Sequence, residues 1–199
     1  SGLQSIPELL RLAPGVQVSR IRADQWAISI RGIPGRFANK LLVQIDGRAI
    51  YSMLFSGVLW ETQDYVLEDI ERIEIIRGPA SVLYGADAMG GAIILRSKDP
   101  RDYLEDGQNS ALSVRSSVSS VNDLLKTGLS YAFQNGSLGS VMQFTKRDFE
   151  EFESPNAVQL NPQDGESSAW LWKSVWQPSD AHVLRLTIDS SEEEIATRI

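Results

Sequence analysis

Residues 70–95, IERIEIIRGPASVLYGADAMGGAIIL, restrict the possible folds of this chain more than any other stretch. They open on a strand pattern in which Ile70, Arg72, Glu74 and Ile76 share one face while Glu71, Ile73, Ile75 and Arg77 share the other. Gly78-Pro79 stops the alternation. A short helical stretch over residues 80–84 is closed by Gly85, and the Gly90-Gly91 pair then feeds a new apolar run over residues 92–95. The reading is strand, tight turn, helical turn, strand.

At 199 residues the chain can hold one or two domains, and its 42% apolar content suits a soluble fold or a porin-type barrel. It does not suit a helical membrane protein: the longest uncharged stretches, such as residues 49–60, fall well short of the roughly 20 apolar residues a spanning helix requires. Ser1-Gly2 leads straight into Leu3 without a basic n-region or long apolar h-region, as expected of a mature or trimmed chain. The absence of cysteine excludes a disulfide scaffold and cysteine-ligated metal sites. Residues 1–100 carry 11 basic and 11 acidic side chains and residues 101–199 carry 8 and 15, so the whole net charge of −7 lies in the second part. That balance argues against nucleic acid as a partner.

The first part reads as a small mixed α/β unit. Ser5, Pro7 and Glu8 outline a capping box, predicting a helix over residues 7–12 that ends at Ala13-Pro14-Gly15. Strands are expected over 16–18, 26–31, 41–45 and 70–76, and Asp46-Gly47 is the clearest hairpin turn. The runs 28–30, 41–45 and 70–76 are expected to share one central sheet. The second part carries five expected strands, over 112–118, 125–133, 138–146, 169–177 and 181–189, separated by turn clusters and by an acidic loop over 148–166; the first, second and fifth alternate cleanly, while 138–146 and 169–177 are less cleanly amphipathic. Leu125, Leu129, Tyr131 and Phe133 form one apolar face, as do Leu184, Leu186 and Ile188. A soluble sandwich alternates in the same way. Trp170, Trp172 and Trp176 in a single strand resemble the aromatic girdle of an outer-membrane barrel.

The words IERIEIIRGPASVLYG and AMGGAI, with Ile28-Ser29-Ile30-Arg31-Gly32, Val43-Gln44-Ile45-Asp46-Gly47-Arg48 and the opening Ile6-Pro7-Glu8-Leu9-Leu10, resemble the signatures of the plug domain of TonB-dependent outer-membrane receptors. The resemblance covers roughly residues 3–98. It departs at Leu95-Arg96-Ser97-Lys98, where the family usually ends in isoleucine-threonine-lysine, and the box that contacts TonB upstream of the first helix is absent. The expected fold class is α+β: a small mixed-sheet plug domain over residues 3–98, a linker over 99–108, and antiparallel up-and-down strands of a truncated transmembrane barrel over 109–199. Five strands are under a quarter of the 22 given for plugged transporters, so a fragment of a longer receptor is expected, one that self-associates through its open edge and apolar face.

What the resemblance implies for chemistry is transport without catalysis. Arg31 and Arg77, each before a glycine at the end of a signature strand, correspond to latch arginines that pair with glutamates on the barrel wall; without those partners they should be exposed or pair with acids such as Glu71 or Glu74. The plug apices correspond to residues 19–26, 35–39 and 51–60, making Arg20, Arg22, Trp26, Arg36, Phe37, Asn39, Tyr51, Phe55 and Trp60 the candidate ligand contacts. The last apex is apolar enough to serve equally as core. No catalytic residue and no metal or cofactor site is expected. Residues 85–91 lack the Lys-Ser/Thr of a phosphate loop, and His182 has no Cys or His near it in sequence. The implied function is import of a scarce nutrient (ferric siderophore, haem or cobalamin) across a Gram-negative outer membrane, with TonB as partner and the plug facing the barrel lumen and periplasm. The rival is a soluble periplasmic or surface β-rich binding module built on a plug-like unit.

Overall fold

A computed structural model of the chain describes residues 5–21, 25–30, 38–52, 54–60, 65–119, 124–149 and 163–197. It forms two compact units, Leu3–Ser97 and Lys98–Ile199. No described helix is long and apolar enough to cross a membrane, which leaves strands untouched by that test.

The first unit runs α1 (Ile6–Leu10), β1 (Val16–Arg20), β2 (Trp26–Ile30), β3 (Leu41–Ile45), β4 (Arg48–Ala49), β5 (Ile70–Arg77), α2 (Ser81–Tyr84) and β6 (Gly91–Ser97). Strands β4-β3-β6-β5 make a mixed sheet, β3 parallel and β5 antiparallel to the central β6. The two-residue turn at Asp46 and Gly47 has φ of 50° and 85°, the left-handed pair that matches the twist of a tight hairpin.

One expectation fails here. Strand β2 is not in the sheet of β3 and β5; it pairs antiparallel with β1 in a separate ribbon, Val16 facing Ile30 and Arg20 facing Trp26. All five β2 residues are buried, so alternation gives no indication of which neighbour they bond. What the three strands share is a core. Ile6 and Leu10 of α1, Trp26, Ile28 and Ile30 of β2, and Leu41, Val43, Ile45, Ile93 and Leu95 of the sheet form one cluster. Strict alternation would put Ile70 opposite Ile73 and Ile75, yet all three pack on this core, because a register shift between Ile70 and Arg72 leaves Glu71 as an extra residue.

The helix also departs from its outline. It starts at Ile6, with Ser5 in the extended N-cap conformation, but no side-chain cap bond forms. Ser5 Oγ is buried without a hydrogen-bond partner among the described residues.

The second unit is a five-stranded antiparallel meander, β7 (Ser110–Ser119), β8 (Leu124–Asn135), β9 (Leu138–Phe149), β10 (Gln163–Ser179) and β11 (His182–Thr197), bonded in chain order and open at both edges. All five expected strands are present, and β10 and β11 are longer than their alternating cores. Residues 136–137 and 180–181 make the tight turns, since Asn135 pairs with Leu138 and Ser179 with His182. The register shift between Trp176 and Ser179 spans Pro178, which has no N–H to offer the ladder. Residues 99–108, read from sequence as a linker, contain a 3-10 turn, Pro100–Tyr103.

Candidate functional site

The signature segment brings several backbones into close approach at the start of β6. Gly90 N–H donates to the Lys40 carbonyl at 2.7 Å. A Cβ on Gly90 would sit 3.0 Å from that oxygen and 3.4 Å from the Ile30 carbonyl; on Gly91, φ +153°, it would sit 2.6 Å from the Ile76 carbonyl. The glycine pair is therefore a packing requirement that lets β2, β3, β5 and β6 meet. A smaller cluster of Leu42, Ala80, Ala88 and Ala92, with Ile76 and Tyr84, seats α2 on the sheet face away from the main core. Val82 and Leu83 of α2 project into solvent, 100% and 81% exposed.

Arg77 stands at the end of β5, exposed, its Nη1 donating to the Pro14 carbonyl at 3.1 Å. Its side chain lies against Gly15, where a Cβ would come within 3.3 Å of Arg77 Cδ. The acids suggested as local partners are engaged by another residue. Arg72 bonds Glu74 at 2.8 Å and Glu71 at 2.9 Å, and the hydrogen bond to Glu74 and the charge of Glu71 hold its guanidinium more firmly in the charged form. Arg31, the other latch candidate, lies outside the described residues, as do Arg22, Arg36 and Phe37.

The remaining apex candidates separate by burial. Trp26 is 5% exposed and belongs to the core, with the guanidinium groups of Arg11 and Arg20 over its ring at 5.1 and 5.3 Å. Trp60 is likewise buried in the core, at 6%. The apolar loop over 51–60 divides in two. Ser52 and Gly57 exchange backbone hydrogen bonds of 2.8 and 3.3 Å, closing a small loop whose tip exposes Leu54 and Phe55, while Val58 and Trp60 anchor its base. Tyr51 is half-buried, and Asn39 and Arg20 are exposed. Leu54, the most exposed apolar side chain of the tip, was absent from the sequence-based candidates; it has the same parity as the buried Val58 and Trp60, so alternation gave no signal for it.

Across the second unit the register lines up one apolar face. Leu112, Tyr131, Met142, Trp172 and Ile188 form one row, and Val114, Leu129, Phe144 and Trp170 the next. Apart from the half-buried Trp172, these are 40–69% exposed. The opposite face carries small and polar residues, for example Ala132, Val141, Lys173 and Thr187 in one row. Toward the 150–162 connection the apolar face gives way to charge, with Lys146 bonded to Glu166 at 2.7 Å. His182 meets only the neighbouring turn, its Nδ1 3.0 Å from Ser179 Oγ, both side chains exposed.

Comparison with known proteins bears on these features together. Residues 1–92 match the family model of the TonB-dependent Receptor Plug Domain. A hemin receptor of Yersinia enterocolitica is 31% identical over 175 residues, 87% of this chain and 24% of that protein. The vitamin B12 transporter BtuB of Photobacterium profundum is 41% identical over 91 residues, 45% of this chain and 14% of that protein. This chain thus spans a quarter or less of the length of these curated relatives. In structure it resembles the FrpB iron transporter from Neisseria meningitidis, with a TM-score of 0.77 over 98% of this chain and 30% of that one at 16% identity, a likeness of fold.

Proposed function

We propose, from a chain that belongs to the TonB-dependent receptor family through its plug domain, that it supplies the plug and the first wall strands of an outer-membrane importer for a scarce nutrient chelate. The observation that carries this reading is the outward face of β7–β11. A soluble module has to bury a continuous surface of Leu, Val, Met, Phe and Trp, whereas hydrocarbon accepts it uncovered, with the small and polar face turned to the lumen. Outer-membrane barrels keep short turns on the periplasmic side and long loops outside. By that rule residues 136–137 and 180–181 are periplasmic and the opposite ends of β9 and β10 face the exterior, with the plug facing lumen and periplasm.

Substrate meets the exposed apices, for which Arg20, Asn39, Tyr51, Leu54 and Phe55 are the described candidates, and shifts the plug. TonB engages a box upstream and pulls, and Arg77 with Arg31 releases its wall carboxylates as the plug moves. The work is transport, driven by binding and force. Haem stands first among the substrates, since a hemin receptor matches over 87% of the chain; ferric siderophores and cobalamin follow, since a vitamin B12 transporter is 41% identical over 91 residues. The test is growth of a Gram-negative strain stripped of its own receptors and carrying the full-length receptor. TonB-dependent growth on haem, a ferric siderophore or cobalamin as sole source is expected. A receptor that reaches the outer membrane and supports growth on none of the three overturns the reading.

A further inference from the structure

On either side of the Ser97–Lys98 peptide the chain is held by different partners. Up to Ser97 they belong to the plug: Asp46 accepts both the backbone N–H and the hydroxyl of Ser97, closing β6 onto the β3–β4 turn. From Lys98 onward three hydrogen bonds join the chain to the wall. Lys173, on the lumen face of β10 and 3% exposed, donates from Nζ to the Lys98 carbonyl at 3.0 Å. Gln143 of β9, 4% exposed, donates from Nε2 to the Tyr103 hydroxyl at 3.1 Å. Arg101 Nη2 donates to the Ser137 carbonyl of the β8–β9 turn at 2.8 Å.

Residues 98–104 are also stiff in themselves. Asp99 accepts from Arg101 N–H while Asp102 accepts from Asp99 N–H, a reciprocal cap on the turn. Pro100 fixes its own φ and is fully buried. Gly139 makes room for the turn: a Cβ there would lie 3.2 Å from Arg101 Cγ and 3.5 Å from Pro100 Cβ. Lys98 Nζ sits 5.3 Å from the Tyr103 ring centroid.

We propose that residues 98–104 are an anchor strap that fixes the C-terminal root of the plug to β9, β10 and the β8–β9 turn, so that a pull on the plug rearranges residues up to Ser97 and stops at Lys98. The proposal rests on the importer reading above and adds the fixed end that a force-driven mechanism requires: buried side-chain donors from two wall strands hold the chain immediately beyond the last plug residue.

Two measurements test it on the full-length receptor. The chain has no cysteine, and the Cβ separation of 3.5 Å at Pro100 and Gly139 lies within the range of a disulfide. The P100C/G139C variant is expected to take up nutrient equally well oxidised and reduced; uptake lost on oxidation and restored by reductant overturns the proposal. The second measurement pulls the plug by an N-terminal tag with the receptor in a bilayer and needs no substrate. The wild type should release a contour length ending at the plug root, and Lys173→Met with Gln143→Leu should release about 24 Å more, the extended length of residues 98–104. Equal lengths overturn the strap. Should that double variant fail to assemble, the P100C/G139C receptor is pulled oxidised and reduced: the disulfide locks the strap, so equal lengths are expected and a longer release from the reduced form overturns the proposal. A wild type that imports none of the three chelates fails the importer reading, while the pulling lengths judge the strap by themselves.

Discussion

Gly91 and Gly47 both have positive φ, yet the structure assigns them different costs of substitution. At Gly91 a methyl group would press 2.6 Å against the Ile76 carbonyl and 3.2 Å against Ile30 Cδ1, and backbone cannot yield as a side chain can. Gly91→Ala is expected to destabilise the chain by about 3 kcal/mol or more, combining backbone strain with the clash. Gly47 has nothing within 4 Å of the added atom, so Gly47→Ala should cost about 1–2 kcal/mol, the left-handed penalty alone. Urea unfolding followed by the fluorescence of the buried Trp26 and Trp60 checks the order of the two. Ser5 provides a second residue-scale test. A working N-cap lost to alanine costs about 1 kcal/mol, but Ser5 Oγ makes no such bond and is buried, so Ser5→Ala should leave stability unchanged or slightly raise it in the same melts.

At the scale of elements, two-residue periodicity in β7–β11 has a directional consequence. Leu129 is 47% exposed on the apolar face, and its neighbour Ser130 lies on the opposite, polar one. In a receptor folded in lipid, Leu129→Arg should cost about 2–4 kcal/mol if it falls near the midplane, while Ser130→Arg should cost far less because the lumen is wet. Reversible unfolding of the two variants in bilayers measures the difference; equal costs would mean that this face does not meet hydrocarbon. The plug strands follow another logic. Alternation is broken in β5 by the extra Glu71 and absent in β2, because one strand is re-phased by a bulge and the other is enclosed on both faces.

At the scale of the whole chain, the apolar face and two open edges together make a lone monomer in water unfavourable. The 199-residue chain in detergent-free buffer is expected to self-associate, by pairing the edges of β7 or β11 or by burying the face against a second copy. Light scattering after size-exclusion chromatography decides; a strict monomer that keeps Leu125, Leu129, Tyr131, Leu184, Leu186 and Ile188 exposed would count against a bilayer-facing role. The amino-acid sequence by itself determined what is local: the hairpin at Asp46 and Gly47, the strand-turn-helix-strand order of residues 70–95, the five meander strands and the apolar side of three of them, β7, β8 and β11. Steric and periodic rules act over a few residues, so a few residues suffice to read them. It did not determine which of Trp26, Phe55 and Trp60 would be buried, or which strand β2 would bond, since apolar side chains look alike in a core and at a binding tip. Nor did it disclose the strap. Lys173 reaches the Lys98 carbonyl across 75 positions, a contact that no local pattern encodes and that arises only when the meander brings β9 and β10 beneath the 3-10 turn.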